Sequence, residues 1–328
     1  MLKKPTLVLF ICAICSLAAK AQKGDTVAYF VKTRISATGS YDEIVNNKDS
    51  ADYYRMVLPP DTGVNNNLLT VRDYYKNGKL RTMGNATAYL YQYRWQGNVI
   101  NYFQNGKKKS IGSYDKDAPI GGLWKYYPNG KLYIAGSYDS RGKLVIDECR
   151  DSTGNVLAEK GNGNYKKYSE DFRRIWEEGN IVNGLEEGEW HGRVNDSVTD
   201  ILTYDKGILV KGISYDEKGK VYPFTSREVE PGFKGGVQQF YKFLQHTMHY
   251  PAEAKERNIQ GKVFTEFVVN EDGTLSDIKI VSGIGGGCDE EVLRVLRLSP
   301  PWIPEMLYGI PVRVPYTMPI SFLLSGDL

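Results

Sequence analysis

Histidine and cysteine are nearly missing from this chain, and most catalytic classes go with them. Of the 4 cysteines, Cys12 and Cys15 lie in a short apolar run at the N-terminus, which leaves only Cys149 and Cys288 for the rest of the chain. Two distant cysteines make no disulfide framework and no thiolate cage, although an oxidising compartment allows a single bridge between them. The 3 histidines are His191, His246 and His249; the last two stand at i, i+3, with nothing nearby in sequence to complete a metal site. Neither H-E-x-x-H nor G-x-S-x-G occurs. There is no long basic run, and 42 Lys and Arg against 39 Asp and Glu leave a net charge of +3, so nothing directs the chain to nucleic acid. Past the N-terminus, no apolar run approaches the ~20 residues that a spanning helix requires. These gaps lead to the expectation of a non-enzymatic protein without cofactor or metal.

The N-terminal run is also short. Lys3 and Lys4 precede the apolar stretch from Leu7 to Ala18, and Ala19-Lys20-Ala21 places small residues before Gln22. This is the layout of a cleaved secretory signal over residues 1–21 and predicts a periplasmic protein. The alternative is an uncleaved inner-membrane anchor.

What the chain has in plenty is tyrosine, 24 residues, and glycine, 34, over a length of 328 that accommodates two domains. Tyrosine favours strands and glycine favours tight turns. Residues 22–72 contain strand-like "TVAYFVKT" and "ADYYRMVL" around a "PPDTG" turn. From 73 to 225 a pattern recurs: "YYKNGKL", "YFQNGKK" and "YYPNGKL", then weaker copies "DSRGKL", "DSTGNV" and "DEKGKV". Asn-Gly predicts hairpin turns of type I′, with positive φ at both central residues. Gly106, Gly130, Gly142 and Gly154 fall at multiples of 12 residues, the spacing of a meander of short strands. "GLWKYYPNGKLYIAGSYD" and "NGLEEGEWHGRV" resemble MORN-type repeats, which implies an all-β scaffold or binding surface without naming its ligand.

Residues 226–234, "SREVEPGFK", read as a linker, and the period then changes. Phe240, Phe243, Leu244, Thr247 and Met248 form one helical stripe, and Pro251 opens a second short helix. "KVFTEFVV" and "LSDIKIVS" flank "NEDG" as a hairpin. "DEEVLRVLRL" is a third helix, with Asp289 at its cap, Glu290 placed to pair with Arg294, and Pro300-Pro301 as its stop.

The last strand, "GIPVRVPYTMPISFLL", contains Pro311, Pro315 and Pro319. Val312, Val314, Tyr316, Met318, Ile320 and Phe322 alternate with Pro311, Arg313, Pro315, Thr317, Pro319 and Ser321. Side chains alternate between faces, so the even set goes to the core together, each burial worth ~1.5–3 kcal/mol gross. Backbone groups alternate between edges, so all three missing donors lie on one edge. Proline is tolerated in a strand only where its absent N–H points away from the ladder. The even edge therefore pairs with the domain's own sheet, and the odd edge is open, offering N–H groups from Arg313, Thr317 and Ser321. Such an edge is either defended against aggregation or used to receive a peptide.

The stretch from Gly235 to Leu324 resembles the TonB C-terminal domain, through "YPAEAKERNIQGKVFTEFVVNEDGTLSDIKIVSGIGGGCDEEVLRVLRLSPPW" and "PVRVPYTMPISF". The resemblance implies an α+β domain over 235–328, two helices on a three-stranded antiparallel sheet. It also implies a binding partner, the Ton box of an outer-membrane transporter, in the service of energy-coupled transport. By position, the receiving residues are Arg313, Val314, Pro315, Tyr316 and Thr317, followed by Met318, Pro319 and Ser321. About 4–6 backbone bonds at ~1 kcal/mol each imply micromolar to millimolar affinity. Energy-coupling members carry a spanning helix and a proline-rich linker where this chain has a signal segment and repeats, so the resemblance points to the binding module ahead of force transmission. The alternative is an envelope scaffold or homo-oligomer that binds through its repeats or pairs its final edge with its own copy. An unrecognised hydrolase site is a third reading that no motif supports.

"GIGGGCDEE" imitates a phosphate loop, but Cys288 replaces the last glycine and three acids crowd the helix start. One repulsive charge at 4 Å costs ~4 kcal/mol at an effective dielectric of 20, more than a helix dipole returns. The same acids oppose a reactive Cys288. Glu186-Glu187 reads as a solvated pair.

Overall fold

The structure is a computed structural model that describes residues 26–34, 40–58, 60, 67–89 and 92–324. The expected signal segment 1–21, with Cys12 and Cys15, and most of the "PPDTG" turn lie outside the described residues. The chain divides into two compact units, one running to Asn164 with Asn183–Leu185, the other holding Tyr165–Val182 and Glu186–Leu328.

Seventeen strands form the expected antiparallel meander. The first twelve are β1 (Thr26–Arg34), β2 (Ser40–Val45), β3 (Tyr53–Leu58), β4 (Leu69–Tyr75), β5 (Leu80–Tyr89), β6 (Gln92–Tyr102), β7 (Lys108–Asp115), β8 (Ala118–Tyr126), β9 (Leu132–Tyr138), β10 (Leu144–Arg150), β11 (Val156–Glu159) and β12 (Asn162–Tyr168). From β3 to β12 each strand pairs with the next, while β1 pairs with both β2 and β3. The apolar side is thin, for instance Val57, Val71 and Ala86, and stacked rings supplement it: Tyr54 on Tyr74 at 5.0 Å and Phe30 on Tyr53 at 5.1 Å.

The Asn-Gly turns differ from the type I′ expectation. Only the glycine of each pair is left-handed, Gly78 at φ 79°, Gly106 at 89° and Gly130 at 89°. Gly78 N–H donates to Tyr75 O at 2.8 Å, and the Asn77 side chain accepts from Lys79 N–H at 3.1 Å. The asparagine is thus retained for its side-chain oxygen, which closes an Asx turn, and not for positive φ. The freed amide and the lysine ladder the repeats together: Asn105 donates to Pro128 O at 2.8 Å and Lys107 to Asn129 O at 2.6 Å, and Asn129 donates to Ser152 O at 2.7 Å. Two of the repeated turns thus hydrogen-bond a later copy of themselves.

The second unit contains β13 (Ile175–Val182), most of β14 (Leu185–Arg193), β15 (Thr199–Asp205), β16 (Ile208–Tyr215) and β17 (Val221–Phe224). Trp190 is fully buried there beneath Gly179, where a Cβ would stand 2.4 Å from the indole, and its ring N–H donates to Asn180 O at 3.0 Å.

The polar stretch after β17 is not bare chain. Glu228–Val229 form β18, which pairs with β21 (Glu305–Leu307), and β21 pairs with β22 (Ile310–Val312). The helices are α1 (Gly236–Thr247), α2 (Ala252–Glu256) and α3 (Cys288–Arg297). They pack on a sheet of β19 (Gly261–Val269), β20 (Leu275–Ser282) and β23 (Val314–Phe322), in the order β20-β19-β23. Three helices therefore stand where the resemblance implied two, since Pro251 does begin a helix of its own. Phe240, Leu244, Ala254, Val292, Val295, Leu296 and Trp302 close over Val263, Phe267, Val269, Ile320 and Phe322.

Two helix-end expectations are corrected. Arg294 pairs with Glu291 at 2.7 Å, three residues before it, and not with Glu290. The helix cap is Gly287, while Asp289 turns back to accept from Ile284 N–H at 3.0 Å and Gly285 N–H at 3.4 Å. The glycine run is needed because Gly285, Gly286 and Gly287 are all left-handed, at φ 71°, 63° and 82°. The nest that resembled a phosphate loop is filled by the protein's own carboxylate. Cys149 and Cys288 are both buried and no disulfide joins them; burial, with Asp289 and Glu290 adding, pushes the Cys288 thiol up.

Candidate functional site

The final strand is shorter than its sequence pattern. The left-handed turn Tyr308-Gly309 (φ 53° and 78°) commits residues 310–312 to β21, where Pro311 faces Met306. Pro311 therefore belongs to a different sheet from Pro315 and Pro319. Arg313 sits in the break, and its guanidinium reaches Asn270 Oδ1 at 3.1 Å and the Asp277 carboxylate. That ion pair anchors the start of β23 to the β19–β20 hairpin.

From Val314 the alternation holds. β23 runs antiparallel to β19 without a slip: Val314 faces Val269, Pro315 Val268, Tyr316 Phe267, Thr317 Glu266, Met318 Thr265, Pro319 Phe264, Ile320 Val263 and Ser321 Lys262. Val314, Tyr316, Met318, Ile320 and Phe322 pack into the core, whereas Pro315, Thr317, Pro319 and Ser321 are exposed. The Met318 carbonyl accepts from Thr265 Oγ1 at 3.1 Å, so the even backbone groups face β19. The odd groups face outward, and among the described residues no strand covers that edge. Thr317 and Ser321 each present a donor and an acceptor there, while Pro315 and Pro319 present an acceptor alone.

A second polar site, which the sequence analysis missed, lies where the Tyr308-Gly309 turn meets the last meander strands. Ser214 Oγ donates to Tyr308 O at 2.8 Å, and Tyr308 N–H donates to Arg227 O at 2.6 Å. Arg227 pairs with Glu177 at 2.6 Å, and Lys167 pairs with Glu177 at 3.0 Å and Glu186 at 2.9 Å. Glu186 is thus bound to a cation and is not a solvated partner of Glu187. Burial pushes the Glu177 carboxyl up, but Arg227 and Lys167 outweigh it and hold it below the usual carboxylate range. Asp200, 3% exposed, has no ion-pair partner among the described residues, and burial with the charge of Glu177 pushes its carboxyl from 3.8 up to about 6. No local signal marks these residues, because they are drawn from separate segments of the chain.

A carboxyl raised by folding favours the folded state while protonated. Its contribution is complete below the ordinary value of 3.8 and is lost as pH rises through about 6. Asp200→Asn should therefore remove a loss of about 1–2 kcal/mol between pH 4 and 7, discounted for solvent near the group. Urea unfolding of both proteins across that range reads the difference; parallel pH profiles would contradict it.

His246 and His249, considered as a metal pair, part company: His249 lies beyond α1, where its backbone N–H donates to Glu291 at 2.6 Å and its ring faces Arg294 at 3.2 Å. Among the described residues, no helix is long and apolar enough to cross a membrane.

No curated protein matches the chain. Residues 246–324 match the family model of the Gram-negative bacterial TonB protein C-terminal region, a span that contains α2, α3, β19, β20 and the whole of β23. That family binds and transduces energy and is not catalytic, and its domains work in the bacterial envelope with outer-membrane transporters. The edge strand and the family match coincide: residues 246–324, the span that resembles the TonB C-terminal domain, hold the whole of β23.

Proposed function

We propose that the chain is a periplasmic, non-enzymatic binding protein whose C-terminal domain takes up the Ton box of an outer-membrane transporter as an added strand. The observation that carries this reading is the outer edge of β23, where Thr317 and Ser321 turn donors outward to an edge that no strand covers among the described residues, on a strand fixed from the other side by β19. The receiving residues are Val314, Pro315, Tyr316, Thr317, Met318, Pro319 and Ser321, of which the odd members make the backbone bonds. Arg313 contributes by holding the strand's start. Two prolines remove two donors, so the peptide binds weakly and exchanges quickly, as suits a partner that must be released. The repeats then act as a spacer or a second docking surface.

Titration calorimetry of the full chain with a Ton-box peptide should give a dissociation constant between about 1 μM and 1 mM. Silence at millimolar peptide, together with a mass in sedimentation that grows with protein concentration, would instead assign the edge to self-association.

A further inference from the structure

A cavity of about 240 Å³ opens in the first unit, lined by Arg55, Asp73, Arg81, Thr82, Trp95 and Asn101 among others. A polar row crosses the sheet there. Arg55 on β3 faces Asp73 on β4, Asp73 faces Thr82 on β5, Thr82 faces Asn101 on β6, and Asn101 faces Ser110 on β7. The row is paired within itself. Arg55 donates to the two Asp73 oxygens at 2.7 and 2.9 Å, Thr82 to Asn101 Oδ1 at 2.9 Å, and Asn101 to Ser110 Oγ at 3.0 Å. Arg81 is the extra residue. The pairing passes from Asp73 with Thr82 to Tyr74 with Leu80, so Arg81 stands unopposed in a bulge of β5. A bulge of this kind re-aims a side chain, here onto the face that Thr82 already occupies.

The Arg81 guanidinium lies over the Tyr53 ring, 3.9 Å from its centroid, and 3.7 Å from Asp73 Oδ2, beyond hydrogen-bond reach. Among the described residues it donates to no acceptor, so its N–H fork is held in place by Tyr53 and left without a protein partner. The side chain is 28% exposed, which leaves it reachable from the cavity that it lines. Arg55 and Asp73 cancel, and among the described residues no other charged side chain lines the cavity, so Arg81 contributes one uncompensated positive charge. A planar fork of donors with one net positive charge is matched by a carboxylate, which accepts two parallel N–H bonds. A phosphate dianion would set a second negative charge beside Asp73. We propose that this cavity is a binding site for a single carboxylate group, held by the Arg81 guanidinium. Its volume lies below that of sites for drug-sized ligands, so the occupant is a short-chain acid or one carboxylate side chain. The site is separate from the β23 edge and does not rest on peptide binding there.

The test follows the Trp95 indole N–H signal of the full chain at pH 7.5 during titration with sodium n-butyrate, the ionic strength being held constant with sodium chloride. A saturable shift is expected below about 50 mM, with none from n-butanol, and Arg81→Gln should weaken it at least about tenfold. Arg81→Lys keeps the charge and loses the fork, and should weaken it about three- to tenfold. No saturable shift by about 50 mM, an equal response to n-butanol, or unchanged binding by Arg81→Gln overturns the site. Should Arg81→Gln fail to fold, Arg81→Lys decides: undiminished affinity there also overturns it. Inorganic phosphate that binds more tightly than butyrate overturns the choice of a carboxylate. A tripeptide with blocked ends and a central glutamate separates the two sources of such a group. If it binds like butyrate, the natural occupant is a carboxylate side chain of a partner; if only butyrate binds, it is a small acid.

Discussion

Proline at Met318 should unfold the C-terminal sheet, whereas proline at Thr317, one residue away, should leave it standing and weaken its binding of peptide. Met318 lies opposite Thr265 with its backbone directed at β19, inside the core cluster. Removing its N–H deletes a ladder bond and orphans a buried carbonyl, together about 2–4 kcal/mol before any loss of packing. Thr317 is exposed, and among the described residues no strand lies across the edge to accept its N–H. Proline there should change stability by less than about 1 kcal/mol, and Tyr316 before it already has the extended backbone that proline demands. A bound peptide would lose its bond and keep an unsatisfied carbonyl, about 1–3 kcal/mol, or roughly 5- to 150-fold in affinity. Urea unfolding and calorimetry on the two variants read both quantities. Equal destabilisation by both prolines would show that the backbone parity is misassigned.

The second large effect is expected at the turn between β19 and β20. Gly273, in the β19–β20 turn, has φ 82° and donates to Asn270 O at 2.8 Å, while its own carbonyl accepts from Trp302 N–H at 2.8 Å. A Cβ there would stand 2.1 Å from Trp302 O. The neighbour is backbone and cannot swing aside. Trp302 in turn packs edge-on against Phe267 at 5.3 Å and Phe240 at 5.6 Å, so any shift is passed into the centre of the core. Gly273→Ala combines a left-handed alanine, about 1–2 kcal/mol, with forced repacking, about 1–3 kcal/mol. Hydrogen exchange of the β19 amides should accelerate by at least about 30-fold, the equivalent of 2 kcal/mol. Unchanged exchange would mean that the turn and the tryptophan are not in contact.

The C-terminal domain was legible in sequence because its signals are local and periodic. The even positions of the last strand are apolar, the odd ones exposed, and the prolines fall on one parity. Where that reading failed, a contact distant in sequence decided the outcome. Pro311 fits the alternation, yet the Tyr308-Gly309 turn folds it onto β21 and Arg313 is drawn aside by Asn270 and Asp277. The Asn-Gly turns were placed correctly and typed wrongly, since the asparagine acts through its side chain and its neighbouring repeat. The charged site around Asp200 left no trace at all in the sequence. Its members lie on β12, β13, β14 and β15 and at residues 227 and 308, and the glycine that leaves room for the Asp200 carboxylate, Gly192, is indistinguishable in sequence from a turn residue.

The central claim is that the outer flank of β23 is a vacant hydrogen-bonding template. Amide signals of the ¹⁵N-labelled full chain, recorded with and without Ton-box peptide, test it most directly. Thr317 and Ser321 should exchange rapidly in the free protein and become protected on titration, while Tyr316 and Met318 remain protected throughout. Thr317 and Ser321 already protected before any peptide is added, or perturbations that bypass β23 altogether, would contradict the account.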